Sequence, residues 1–415
     1  MNFPAPDRAF APSSIDSNGS ARHIISFVYF TFVVYLSIGL PLAVLPPYVH
    51  FRMGLSAALA GLVISIQYIA TLASRPWAGR ISDRAGAKVS VLWGMGICSF
   101  SGVLLISAAA LCPIPPLSFS ALILSRLALG CGESLGSTGS TLWGITSAGP
   151  THTARVISFN GIATYGAMAL GAPLGVVLDA AGASLGHSPQ WGLAALGLLT
   201  LLIGSFSLLL ASLKAPAAIS AGERLPFHRV LGRVAPHGTG LALGGVGYSV
   251  LATFITLFYV SRHWSGAALC LTAFGLAFIA ARLLFIQTIN HYGGFLVAMA
   301  CLAIESLGLL LLWGATSSWM ALTGAAVVGF GFSLVFPALG VEAVKRVTEQ
   351  NRGAALGVFT AFADVSFFLT GPLAGAVIGL FGYPSAFLFA LCCVLGALAI
   401  TLVLHGLSKM AGYSL

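Results

Sequence analysis

Charge is what this chain has least of. Only 7% of its 415 residues are charged, ten acids and nineteen bases, against roughly a quarter in an average soluble domain. So few charges cannot wet the surface of a water-soluble protein of this length, which excludes a soluble enzyme and a disordered chain. The seven cysteines (Cys98, Cys112, Cys131, Cys270, Cys301, Cys392 and Cys393) lie mostly inside apolar runs and contain no CxxC pair. They read as small packing residues, not as a disulfide frame or a metal centre. There is no G-x-x-x-x-G-K-[ST] loop for ATP, no HExxH zinc pair and no potassium-filter sequence. No catalytic site, metal or cofactor is therefore expected. The polar stretch up to Ala21 lacks the apolar core of a signal peptide.

What is abundant is apolar residue, 58% of the chain, together with fifty glycines that let membrane helices approach closely. A span needs roughly 20 apolar residues to cross a hydrocarbon core about 30 Å thick. The runs fit twelve spans: His23–Tyr48, Ala57–Trp77, Val89–Ala110, Ser118–Ser147, Val156–Leu178, Trp191–Leu213, Gly240–Val260, Ala267–Ile286, Phe295–Gly314, Trp319–Ala343, Gly353–Leu380 and Ser385–Leu407. The expected class is an all-α membrane protein of two six-helix bundles. Its divisions are an N-terminal tail 1–22, a first bundle 23–213, a central loop 214–237, a second bundle 238–407 and a C-terminal tail 408–415. Phe227–Val234 in the central loop is basic enough to lie as a short helix on the membrane surface.

With the N-terminus placed in the cytoplasm, sixteen lysines and arginines fall on or near that side. Only Arg52 and Arg262 fall outside, while Arg126 sits within a span. This asymmetry predicts an inner-membrane protein with both termini cytoplasmic. The net charge of +9 then reflects topology, and no nucleic-acid partner is needed.

The halves repeat. Arg75, Asp83 and Gly86 meet Arg282, Asn290 and Gly293 at an offset of 207, and Gly130 and Pro173 meet Gly329 and Pro372 at an offset of 199. Parallel repeats about an axis along the membrane normal are a known transporter plan, with the substrate between the halves.

The loop Gly79-Arg80-Ile81-Ser82-Asp83-Arg84-Ala85-Gly86-Ala87-Lys88 resembles the G-x-x-x-D-R-x-G-R-K signature of the major facilitator superfamily, with Ala87 where arginine is usual. Arg126-x-x-x-Gly130-x-Gly132 is similar to the superfamily's second motif, and Gly171-Ala172-Pro173-Leu174-Gly175 to its antiporter motif. Ile38–Pro46, Gly139–Gly144 and Ser333–Gly340 look like the YhhS-type bacterial permeases, whose substrates are poorly defined. The resemblance implies alternating access of the two bundles, with the fourth and eleventh spans lining the cavity and the ninth at the periphery.

On that basis Gly79, Asp83, Arg84, Gly86 and Lys88, with Arg75, Arg282 and Asn290, form a conformational latch whose second copy lacks the acid. Glu133, Glu305 and Asp364 lie near mid-membrane, where an unpaired carboxylate is costly. Glu133 and Asp364 are the expected proton carriers, and Glu305 is expected to be structural, satisfied by a neighbouring helix. Asp179 reads as a wetted loop-edge residue near the outer end of the fifth span. Arg126 stands seven residues before Glu133 on the same face, about 10 Å away along the axis. A substrate, a water or a facing helix must bridge them. Gln67, Asn160 and Thr164, with Tyr35, Tyr68, Tyr165, Tyr248 and Phe254, complete the candidate substrate surface. Gly171, Pro173, Gly175, Gly371 and Pro372 are expected to bend the fifth and eleventh spans. The leading expectation is a monomer that exports a small molecule in exchange for protons. A proton-coupled uptake symporter, a lipid flippase and a non-transporting solute sensor are the alternatives.

Overall fold

The computed structural model describes residues 17–149, 153–186, 188, 190–216, 227–285, 287–347 and 352–412. The tails before residue 17 and after 412, and most of the central loop, lie outside them. Among the described residues there is helix and turn but no strand, as expected where lipid leaves backbone groups no partner outside their own helix. Twelve long helices follow in order: α1 (Ser17–Leu42), α2 (Ala57–Arg84), α3 (Ala87–Ala110), α4 (Pro115–Ala148), α5 (Thr153–Leu185), α6 (Gln190–Leu213), α7 (Phe227–Ser261), α8 (Ala267–Phe285), α9 (Gly294–Trp313), α10 (Ser318–Phe332, resuming as Val335–Lys345), α11 (Arg352–Phe381) and α12 (Pro384–Gly412).

Eleven of these segments are long and apolar enough to cross a membrane. The remaining one, α4, has 34 residues but is diluted by serine, glycine, Arg126 and Glu133. One expectation fails here. Phe227–Val234 does not form a separate surface helix but is the first two turns of α7, which runs unbroken to Ser261. Its apolar continuation through Val234 and Leu241, both buried, carries the helix straight into the bundle.

Helix boundaries follow local chemistry. Ser56 and Ser317 cap α2 and α10 by accepting from Leu59 and Met320 amides, each at 3.3 Å. Gly86 (φ 95°) and Gly293 (φ 82°) make the turns into α3 and α9 with a backbone that side chains resist. They occupy matching places in the two halves. Pro46 and Pro47, which lack an amide donor, follow α1, and the chain extends through a π-turn at Tyr48–Arg52.

The repeat is visible in packing. Gly130 of α4 rests on the backbone of Gln67 in α2, and Gly329 of α10 on that of Phe274 in α8, the position 207 residues later. Gly132 likewise lies against Cys98 in α3, and Gly331 against Glu305 in α9. Two pseudo-equivalent seams join the bundles, α2 against α11 and α5 against α8. Because the number of long helices is even, the start of α1 and the end of α12 lie on one face, called here the termini face.

The Gly-Pro segments do not repeat so faithfully. Gly171 and Gly175 press α5 against Gly39 and Leu40 of α1, inside the first bundle. Gly371 and Gly375 press α11 against Gly61 and Ala58 of α2, across the two bundles. Relative to the shared proline the second set is displaced by one residue, and one residue is about 100° around a helix. Both helices continue through Pro173 and Pro372 without interruption.

Candidate functional site

The helix α2 carries the partners of both acid candidates, Asp364 and Glu133. Asp364 of α11 takes a two-pronged bond from Arg75 of α2, through Nε to Oδ2 and through Nη2 to Oδ1 at 3.0 Å. The carboxylate is buried and the guanidinium partly covered. A planar fork meeting a carboxylate in this way is the strong form of an ion pair, and it fixes orientation as well as charge. Arg75 was expected in the loop latch. Its side chain instead leaves α2 sideways, nine residues before the helix end, and ties the bundles together.

One helical turn deeper, Glu133 of α4 is buried and accepts from the Thr71 hydroxyl at 3.0 Å and from Gln67 Nε2 at 3.5 Å. Both donors are neutral. Arg126, the other charge on α4, donates to Gln67 Oε1. Gln67 is thus the bridge that the seven-residue spacing demanded, supplied by the facing helix. Its amide accepts from the cation with one end and donates to the acid with the other. The i, i+4 pair Gln67 and Thr71 points at Glu133 as one unit.

The α5–α8 seam is aromatic. Tyr165 of α5 lies on Phe278 of α8 with ring centroids 3.9 Å apart, and Tyr248 of α7 packs on Phe274 at 5.0 Å and on Phe332 at 5.9 Å. The Tyr248 hydroxyl donates to the sulfur of Met168 at 2.9 Å, and Thr272 donates to the Ala169 carbonyl at 2.9 Å. A cavity of about 10 Å³, room for about one water, remains between Tyr165, Met168, Tyr248 and Phe274. Arg282 sits where Arg75 sits in the first half. It is buried, stacks over Phe278 at 5.0 Å and donates to the Ser333 carbonyl at 2.8 Å, freed where α10 breaks.

The remaining candidates divide. Tyr68 meets Phe367 across the α2–α11 seam at 5.0 Å. Phe254 is fully buried and packs against Gly61 near the face opposite the termini. It seals that end, helped by a 2.9 Å bond between Tyr383 and His50 that joins the turn before α12 to the end of the first span. Asn160 does not face the cavity. It takes a 2.5 Å bond from Thr31, which also meets Ser140 at 2.9 Å, so it locks α1, α4 and α5 within the first bundle. Thr164 is half-buried on α5.

Nor is Glu305 satisfied by a neighbouring helix as expected. It is fully buried, and neither carboxyl oxygen has a hydrogen-bond partner among the described residues. Gly247 of α7 and Gly331 of α10 pack against it and offer no donor side chain. Asp179, expected to be wetted, is partly buried, with Oδ1 unpartnered and against Gly192 of α6.

The loop motif is dispersed. Lys88 donates to the carbonyls of Ser212 and Lys214 at 2.7 and 2.6 Å, so it closes the end of α6. Gly79 and Arg84 lie in the last turns of α2, and Asn290 is exposed on a short helix after α8. The side chain of Asp83 lies outside the described part of the structure. Asp364's partner was the main omission of the sequence reading. Nothing local links residues 289 positions apart.

The Major Facilitator Superfamily model matches residues 27–295 and 238–410. An uncharacterized MFS-type transporter of Pseudomonas aeruginosa is 55% identical over 389 residues, 94% of each chain. One from Burkholderia mallei is 51% identical over 404 residues, 97% of this chain and 95% of its own. Among solved structures, the nucleoside transporter NupG superposes with a TM-score of 0.70 at 16% identity, covering 92% of this chain and 99% of that one. A bacterial homolog of the human lysosomal transporter Spinster, inward-facing and occupied, gives 0.69 at 14% identity over 92% and 96%. A family model that spans both bundles, and relatives that match nearly end to end, make this a transport protein and not an enzyme. The chain belongs to the Major Facilitator Superfamily, whose members are multi-pass transporters of small molecules.

Proposed function

We propose that the protein is a proton-coupled exporter of the inner membrane, with both termini cytoplasmic and the monomer as the working unit. The observation that carries this reading is the Arg75–Asp364 pair, which among the described residues is the buried ion pair joining the two bundles. Protonation of Asp364 removes the charge that Arg75 holds and frees the bundles to separate. Glu133, held by neutral donors, is the second proton site. Its link through Gln67 to Arg126 lets a change at the acid reach the cavity wall. The antiporter-like Gly-Pro segment supports export, and the excess of basic residues on the termini face supports a cytoplasmic placement of that face.

Inverted membrane vesicles with a respiration-driven pH gradient test this. A transported solute is expected to dissipate the gradient, read by a pH-sensitive dye, in the wild type. Glu133→Gln at matched expression is expected to abolish that signal while solute exchange without a gradient persists. Solute flux that is unchanged when the gradient is collapsed by an uncoupler would sink the proposal.

A further inference from the structure

Among the described residues, three arginines of the long helices are not exposed, and their surroundings differ. Arg75 has Asp364. Arg126 shares Gln67 with Glu133, so that group also balances. Arg282 has no acid. Its Nη2 meets only a backbone carbonyl, and its Nε is buried without a partner among the described residues. The residue is only 8% exposed. The other acid of its bundle core, Glu305, faces Gly247 and makes no bond to it. A buried cation with one neutral acceptor is expensive unless something of opposite charge visits it.

The rest of the surroundings say what the visitor looks like. Phe274, Phe278 and Arg282 stand at i, i+4 and i+8 on α8, one above another. They form an apolar ladder with a guanidinium at its end, some 12 Å long at the ~1.5 Å rise per residue. Tyr165 covers the ladder from the opposite bundle, and Gly161, one turn before it, has no Cβ and so makes room for Arg282 Nη1 itself. The small cavity opens at the Phe274 end. The wall therefore offers ring faces along its length, one fork of donors at its end, and one unbalanced positive charge.

We infer that the α5–α8 seam is the substrate site and that it takes small organic monoanions, a flat apolar or aromatic body bearing a single carboxylate or sulfonate that Arg282 holds. This rests on the transporter reading above and names its substrate class. When the seam parts, the ligand's ring replaces Tyr165 against Phe278 and its anion takes the unpartnered Nε donor. One surplus cation balances one negative charge, which favours a monoanion over a dianion or a cation.

Binding to purified protein in nanodiscs tests this with three probes of one shape, 1-naphthoate, 1-naphthylmethanol and 1-naphthylmethylammonium. The expected result is at least tenfold tighter binding of 1-naphthoate than of the other two. Arg282→Gln keeps a donor for the Ser333 carbonyl and is expected to erase that preference, whereas Arg282→Lys retains part of it. Gly161→Leu keeps the arginine's charge but pushes its guanidinium out of the space Nη1 occupies, and is expected to weaken 1-naphthoate alone. Equal affinity for the three probes in the wild type overturns the inference, without need of any variant. So does a naphthoate preference that survives in folded Arg282→Gln, which would make Arg282 only a cap for the broken helix. Solute-driven proton movement with no naphthoate preference would overturn this inference and leave the coupling intact. Naphthoate binding without proton movement would do the reverse.

Discussion

The two seams between the bundles occupy equivalent places and do opposite things. At α2–α11 the contact is a salt bridge backed by glycines, Arg75 on Asp364 and Gly61 on Gly371. At α5–α8 it is Tyr165 on Phe278, with an arginine that has no acid. The position in α5 that matches Asp364 by the 199-residue offset is Tyr165 itself. A duplicated frame has kept its helix packing and its two arginines while exchanging an acid for a ring. An ion pair belongs to one seam, and an aromatic surface beside an arginine without an acid belongs to the other.

The sharpest way to break that contrast is to remove the acid. Asp364→Asn leaves Arg75 facing a neutral amide, and stripping one partner from a buried pair costs about 3–5 kcal/mol. At 1.4 kcal/mol per tenfold, that shifts the closed state by at least about a hundredfold. Gradient-driven flux in proteoliposomes is expected to fall to background while gradient-free exchange remains. The double exchange Arg75→Asp with Asp364→Arg is expected to restore closure, measured by spin-label distances across the seam. Full gradient-driven transport in Asp364→Asn would assign the coupling elsewhere.

Glycine substitutions sharpen the contrast at a smaller scale. A methyl group on Gly61 or Gly371 meets backbone of the opposite bundle, so either alanine variant is expected to shift the population toward the state open at the face opposite the termini. Labelling of a cysteine introduced near His50 should rise several-fold. The same change at Gly175 meets Leu40 of its own bundle. It is expected to lower the melting temperature without altering labelling, since overpacking costs about 1–3 kcal/mol. Identical behaviour of the two variants would mean the bundles do not move as units.

The smallest expected effect concerns Glu305, whose counterpart in the first half is Cys98. Its buried carboxyl has no partner among the described residues, so Glu305→Met removes an uncompensated polar group worth about 1–3 kcal/mol. A melting temperature raised by a few degrees with transport unchanged is the expected outcome. Loss of transport would give Glu305 a role in the cycle.

Much of this architecture is legible in the chain because lipid imposes long periodic signals. The helix count, the division after Leu213 and the 207-residue offset all follow from runs and spacing that need no partner. The acids were legible too, since Glu133 and Asp364 stand out against an apolar background. What they bind was not. Arg75 reads as part of a loop motif because it is close in sequence to Asp83, whereas its side chain answers to a helix 289 positions away. Asn160 carries the same polar signal as Gln67, and a helical stripe alone does not say whether it faces a cavity or a neighbour. Phe227–Val234 misleads for a related reason. Its basic residues mimic a surface helix, and only its continuation into α7 shows otherwise.

The one-residue displacement between the Gly-Pro segments has a meaning for ancestry and for engineering. In α5 the glycines hold a joint that stays shut inside a bundle, and in α11 a joint that a transport cycle opens. No insertion, new helix or altered connection separates these designs. Moving a small residue to the next position turns its contact by about 100° and hands it to a different helix. A duplicated six-helix unit can thus acquire a hinge line from point substitutions alone, and a laboratory lineage that walks glycines along α5 one position at a time should be able to relocate it.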